Sequence, residues 1–165
     1  MSVGQPVTSD HQLARLLQIG VVLEEVVEAR AYHHYRSLGG TGEAELDAEI
    51  EALLEDARDE SATHRERLEA LIDELDAESV PFDEIEALVE DQYGRTRPED
   101  FDDVLYDQLA SEETAYKFYD DLINAIEESD AQFSLDRDRL LSELAALREA
   151  EAEGVETITE IMKHS

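Results

Sequence analysis

The sequence predicts an all-α protein, a four-helix bundle in which two antiparallel helical hairpins are joined by one long crossover. Four long segments repeat their apolar residues with a helical period, and glycine and proline are concentrated at the breaks between them. No segment alternates between apolar and polar residues as a half-buried strand does. The length of 165 residues suits a single domain, residues 1–165, with a sizeable core.

The first two predicted helices cover about residues 9–38 and 43–76. Ser9 followed by Gln12 has the pattern of a capping box that opens the first helix, and the glycines after residue 38 end it. Because the break between the two helices has only a few residues, we expect them to form an antiparallel hairpin.

The other two predicted helices cover about residues 97–127 and 134–163, and the short break between them predicts a second hairpin. The hairpins are separated by residues 77–96, which contain a short amphipathic helix at about 82–93. A connection of about twenty residues is long enough to cross the full length of a bundle.

The chain is strongly acidic, since 44 Asp and Glu residues against 13 Lys and Arg give a formal net charge of -31. Such a polyanion repels phosphates, so we expect neither a nucleic-acid partner nor binding to an anionic membrane. Only two of the cations, Lys117 and Lys163, are lysines. This composition resembles that of extreme halophiles, in which molar salt screens the repulsion. An ordinary acidic bacterial protein is the alternative.

Cysteine is absent, which excludes disulfide scaffolds, thiol nucleophiles, iron–sulfur clusters and rubredoxin-type sites. The first residues, MSVGQPVTSD, contain neither a basic nor a long apolar run, so we expect a cytoplasmic protein. A homo-oligomer is compatible with the sequence, and a protein partner stays unknown.

In each predicted helix, polar residues interrupt the apolar stripe near its middle. Carboxylates buried in one layer require a cation or a proton, so this pattern favours a site where the four helices converge. Residues at the edge of each stripe that reach water are the alternative interpretation. The interrupting residues, in helix order, are Glu24 and Glu28, then Ser61 and His64, then Glu112, then Glu151 and Gly154.

An internal repeat relates the first and third predicted helices. Segment 28–38 aligns without gaps on segment 112–122. Both contain Glu, then Ala after three residues, Tyr after four and seven, and Leu after ten. The repeat indicates two related hairpins around a pseudo-twofold axis.

With these motifs the chain resembles the ferritin-like superfamily and, within it, the rubrerythrin-like branch, whose first and third helices carry the Glu-x-x-Ala motif of Glu28 and Glu112. The resemblance implies that iron or manganese ions are held between the four helices. Members of that family use such ions in oxidation, storage or detoxification. The second and fourth helices of that family each supply Glu-x-x-His. Here segment 61–64 reads Ser-Ala-Thr-His and segment 151–154 reads Glu-Ala-Glu-Gly, so each retains one ligand.

The resemblance therefore implies a reduced set of metal ligands, which suits one ion or a weak two-ion site better than a complete di-iron centre. Glu24 and Glu60 each lie one helical turn from a member of the set and are possible additions. Carboxylates with one imidazole suit iron, manganese or zinc. The implied ligands are Glu28, His64, Glu112 and Glu151.

Three functions fit this sequence. The first is a ferritin-like metal-binding protein, including an oxidoreductase that acts on peroxide, dioxygen or ferrous iron. The second is a bundle that has lost its metal and serves as a scaffold or binding module, which Ser61 and Gly154 favour. The third is a bundle that accepts a small ligand in its emptied centre. Whether the protein is an enzyme stays open at this stage.

Overall fold

The structure, a computed structural model, describes residues 7–37, 44–77 and 104–163. These residues form four α-helices and contain no strand, so the all-α class is confirmed for them. No helix among the described residues is long and apolar enough to cross a membrane. The helices are α1 (Asp10–Ser37), α2 (Ala44–Asp73), α3 (Val104–Glu127) and α4 (Arg137–Lys163).

Where both are described, the predicted and observed helix ends differ by a few residues. α2 ends at Asp73 because the N–H groups of Glu74 and Leu75 bond to carbonyls only three residues back, which tightens the last turn. The predicted start of the third helix at residue 97 lies outside the described residues. So do the crossover after residue 77 and its short helix at 82–93.

The chain enters α1 with the cap that the sequence predicts. Ser9 Oγ accepts a hydrogen bond from the Gln12 N–H at 3.2 Å. The Gln12 side chain reaches back and accepts one from the Thr8 N–H at 2.7 Å. These bonds satisfy N–H groups that have no partner near the start of the helix.

Asp10 ties three parts of the chain together at one end of the bundle. Its carboxylate accepts hydrogen bonds from the N–H groups of Asp76 and Ser134, both at 3.1 Å. It also accepts one from the Ser134 hydroxyl at 2.5 Å. Asp10 begins α1, Asp76 follows α2 and Ser134 precedes α4, so these contacts form what we call the Asp10 clasp.

The clasp fixes the directions of the helices, together with a bond from the Val7 N–H to the Ala125 carbonyl near the end of α3. The beginnings of α1 and α4 and the ends of α2 and α3 lie at the same end of the bundle. α1 is therefore antiparallel to α2, and α3 to α4, whereas α2 ends and α3 begins at opposite ends. α1 packs mainly against α2 and α3, and α4 mainly against α3 and α2.

Among the described residues, the interior consists of two apolar clusters with a layer of buried polar side chains between them. One cluster lies at the clasp end and includes Leu13, Leu17, Leu68, Phe118, Leu122 and Leu144. The second cluster, at the other end, includes Ala31, Ile50, Leu54, Ala57, Leu105 and Ile158. The clusters supply the hydrophobic stabilisation and hold the polar layer midway along the bundle.

Candidate metal centre

The polar layer receives at least one buried side chain from every helix, and each of its members is at most 6 % exposed. Charged groups are rarely buried without partners, so the contacts inside the layer decide what it can do. Its members are Glu24 on α1, Ser61 and His64 on α2, Gln108 and Glu112 on α3, and Glu151 on α4.

Glu24, His64 and Glu151 form the centre of this layer. His64 Nδ1 lies 3.2 Å from Glu24 Oε1 and 3.1 Å from Glu151 Oε1. One ligand atom from each residue lies within 4.8 Å of the others. The three residues come from three helices, so the fold, and not a local sequence motif, assembles this triad.

Glu24 is held from the α3 side by Tyr119, whose hydroxyl donates to Glu24 Oε1 at 2.5 Å. The second oxygen of the carboxylate, Oε2, is buried and has no hydrogen-bond partner. A buried polar atom without a partner costs about 1–3 kcal/mol. The Oε2 atom is therefore suited to a cation or to a further proton donor.

Glu112 lies beside the triad. Its carboxyl shares a hydrogen bond with the carboxyl of Glu151, which requires a proton between them. Gln108 Nε2 donates to Glu112 Oε1 at 3.3 Å. Gly154 on α4 leaves room for this carboxyl, because a Cβ atom at Gly154 would stand 2.9 Å from Glu112 Oε2.

Glu60 reaches the layer from its solvent side. It lies one helical turn before His64, and its Oε1 stands 3.5 Å from His64 Nε2. Its side chain is 39 % exposed, whereas the side chains of the triad are at most 5 % exposed. Glu60 therefore lies between the buried triad and solvent.

Glu28 does not join the triad. Its Oε2 accepts a hydrogen bond from Arg65 Nη1 at 2.8 Å, and both side chains stay partly exposed. Glu24 and Glu28 lie one turn apart, and the rotation of α1 about its axis turns Glu24 inward. Glu28 lies beside the guanidinium of Arg65 on α2, and this ion pair balances the charge of the Glu28 carboxylate.

Burial changes the acidity of the layer. Burial raises the pKa of Glu151 well above its usual range, and the hydrogen bond to Glu112 and the charge of Glu24 raise it further. Burial also raises the pKa of Glu112, although hydrogen bonds with Glu151 and Gln108 oppose this shift. These shifts favour the protonated carboxyl groups, so a divalent cation would bind the layer in competition with protons.

Two groups beside the triad, Glu60 and Tyr119, also have raised pKa values. Burial raises the pKa of Glu60 to about 7, against the attraction of His64. Burial also raises the pKa of the Tyr119 hydroxyl, and the charge of Glu24 adds to this shift. Tyr119 therefore stays protonated and acts as a hydrogen-bond donor to Glu24.

The donor set fits a divalent transition metal. Two carboxylates balance the charge of such an ion, and carboxylates with imidazole suit iron, manganese or zinc. Ligand atoms about 2.1 Å from an ion stand about 3 Å apart. The spacings of 3.1 and 3.2 Å from His64 Nδ1 to Glu151 and Glu24 are close to that value.

Among the ligands expected from the sequence, the structure groups His64, Glu112 and Glu151, and it places Glu24, an expected addition, where Glu28 was expected. Glu60 lies at the edge of the group. Gln108 belongs to the layer but is not among the residues that the sequence predicts for it. Helical spacing contains the signal, because Gln108 lies one turn before Glu112 on the same face of α3.

Comparisons with protein-family models, with curated proteins and with solved structures found no match to this chain.

Proposed function

We propose that this protein is a ferritin-like metal-binding protein that holds one iron or manganese ion at the Glu24–His64–Glu151 triad. Glu112 is hydrogen-bonded to Glu151 and lies beside the triad. The bound ion supplies redox or Lewis-acid chemistry, which suits iron handling or a defence against oxidants.

The observation that carries this proposal is the convergence of three ligand atoms from three helices within 4.8 Å. Burying these carboxyl groups is unfavourable in the absence of a cation, and Glu24 Oε2 has no hydrogen-bond partner. Exposed acidic groups are common in this chain, but this group is almost completely removed from solvent.

The ferritin-like assignment is supported by the helix directions and by the internal repeat. Two antiparallel hairpins whose middle helices run in the same direction are typical of ferritin-like bundles. The Glu112, Ala115 and Tyr119 side chains of the repeat are all buried on α3. Because Ser61 and Gly154 replace two ligands of the family pattern, we propose one ion and not two.

A metal-free scaffold or binding module is the second candidate. The observation that favours it is that the layer already satisfies most of its polar atoms with protons. Tyr119 donates to Glu24, and Glu151 is hydrogen-bonded to Glu112. The metal content of the protein separates the two candidates.

The test is thermal melting of protein purified in molar salt and stripped with a chelator, with and without Fe(II) or Mn(II). An ion that binds only the folded state stabilises it by about 2.7 kcal/mol at a hundredfold excess over its dissociation constant. We expect one ion per chain and a higher Tm for the wild type. We expect neither for Glu151→Gln or His64→Ala.

Glu149→Gln is the matched control, because it removes a carboxylate from the exposed face of α4 two residues from Glu151. This variant should retain the ion. A stripped wild type that takes up no ion and shows no shift in Tm would exclude the metal site and leave the scaffold function.

A further inference from the structure

The two ring nitrogens of His64 face different carboxylates. Nδ1 faces inward, to Glu24 and Glu151, at 3.2 and 3.1 Å. Nε2 faces outward, to Glu60, at 3.5 Å. In a neutral imidazole one nitrogen carries a proton and the other offers the lone pair that a metal needs. The tautomer of His64 therefore decides whether Nδ1 can be a ligand.

We infer that Glu60 is a positioning residue that holds the His64 proton on Nε2, so that Nδ1 is available to a cation between Glu24 and Glu151. The inference rests on the proposed metal site. A histidine that binds a metal through one nitrogen almost always donates its other N–H to a carboxylate, a backbone carbonyl or water, which fixes both tautomer and ring orientation.

The contacts on the inner side agree with this tautomer. Glu24 Oε1 already accepts the Tyr119 hydroxyl, and the hydrogen bond of Glu151 with Glu112 places a proton among the carboxyl groups. An Nδ1 lone pair at 3.2 and 3.1 Å from the Glu24 and Glu151 oxygens requires a cation, or a proton, between these atoms. With the Nε2–H group donating to Glu60, a cation would take that position.

Glu60 is placed to accept this bond. It lies at the i,i+4 spacing that brings side chains of one helix together, and its partly exposed carboxylate stands 3.5 Å from His64 Nε2. A small side-chain rotation would bring the two atoms to a normal hydrogen-bond distance of about 2.8 Å. Because it is partly in water, an ionised carboxylate costs less here than at the buried positions of Glu24 and Glu151. The geometry thus assigns Glu60 to the outer nitrogen of His64 and not to the ligand set.

Nitrogen-15 NMR of metal-free, histidine-labelled protein tests this inference, because ring-nitrogen shifts and two-bond couplings report which nitrogen carries the proton. The chain has five histidines, and the His64 signals are those lost in His64→Gln. We expect the Nε2–H tautomer in the wild type and in Glu60→Gln, whose amide oxygen still accepts a hydrogen bond. Glu60→Ala should show a substantial Nδ1–H population.

Affinity for Mn(II), measured by titration of the full chain in molar KCl, is the second readout. Loss of such a carboxylate typically costs about 10–100-fold in metal affinity. We expect a loss of this size in Glu60→Ala and a smaller one in Glu60→Gln. Glu66→Ala, which removes an exposed carboxylate two residues after His64, should change neither readout.

An Nδ1–H tautomer in the wild type, or a tautomer unchanged by Glu60→Ala, would overturn the inference. A wild type with the Nε2–H tautomer that binds no Mn(II) would support the role of Glu60 in orienting His64 while refuting the metal site. The two failures are therefore distinguishable.

Discussion

Gly154 illustrates, at the scale of single residues, how the polar layer constrains the helix that surrounds it. Glycine inside a helix is less favourable than alanine by about 0.5–1 kcal/mol. At this position a Cβ atom would stand 2.9 Å from Glu112 Oε2 and 3.0 Å from its Cδ. Because Glu112 is buried, its carboxyl has little space into which to withdraw.

We predict that Gly154→Ala destabilises the protein by about 1–3 kcal/mol, because overpacking outweighs the gain in helix propensity. In a Glu112→Ala background the same substitution should stabilise by about 0.5–1 kcal/mol, since the contact is gone. Guanidinium unfolding of the four proteins measures the coupling. Equal effects of Gly154→Ala in both backgrounds would show that the Glu112 carboxyl moves aside freely.

The sequence was sufficient for features with local causes. Capping residues, glycines and apolar periodicity gave the helices and hairpins, and the interrupted stripes predicted a buried polar layer. The sequence could not show whether Glu24 or Glu28 joins the buried layer, because both residues lie on the same face of α1. It depends on how α1 is rotated against α2 and on the position of Arg65, which forms an ion pair with Glu28.

At the scale of the elements, the Asp10 clasp joins the start of α1 to the end of α2 and the start of α4. Burial would raise the pKa of Asp10, but hydrogen bonds from Ser134 and Asp76 outweigh it and lower the pKa below 3.8. A carboxyl with a lowered pKa in the folded state stabilises the fold above its unfolded pKa, and this contribution is lost as the pH falls through the folded value.

Asp10→Ala should cost about 1 kcal/mol at pH 7, comparable to the loss of a helix cap. The difference from wild type should stay constant between pH 5 and 8, a range well above about 3.8, and should shrink in more acidic solution. Thermal melts across this range measure it. Asp138→Ala removes an acidic residue from the first turn of α4 without touching the clasp and should cost less.

The whole molecule carries a formal net charge of -31, and this charge opposes folding wherever salt does not screen it. We predict that helicity and Tm rise steeply between 0.1 and 2 M KCl, because the screening length falls from about 10 Å at 0.1 M to about 3 Å at 1 M. Circular dichroism melts at several KCl concentrations measure the effect. Equal stability at both extremes would contradict the halophile prediction.

The polar layer adds a pH dependence to the stability of the stripped protein. Glu60, Glu112 and Glu151 have raised pKa values in the folded state, so they favour folding most below about pH 4.5, and this contribution is lost as the pH rises. For Glu60 the loss is centred between 4.5 and about 7. We predict that the Tm of the stripped protein in molar KCl declines from pH 5 to 8, and that Glu151→Gln reduces this decline. Mn(II) should offset the decline, because the ligands bind a metal when they are deprotonated.

The Asp10 clasp implies that one end of the bundle opens as a unit. It joins the start of α1, the segment after α2 and the segment before α4, so none of these segments separates from the others without losing hydrogen bonds to Asp10. Asp10→Ala should therefore speed amide hydrogen exchange in all three segments together, at fixed pH and salt, and should change exchange less around Ile158 at the other end of the bundle. The triad lies between these ends. An ion that links three helices there would couple the opening of the two ends.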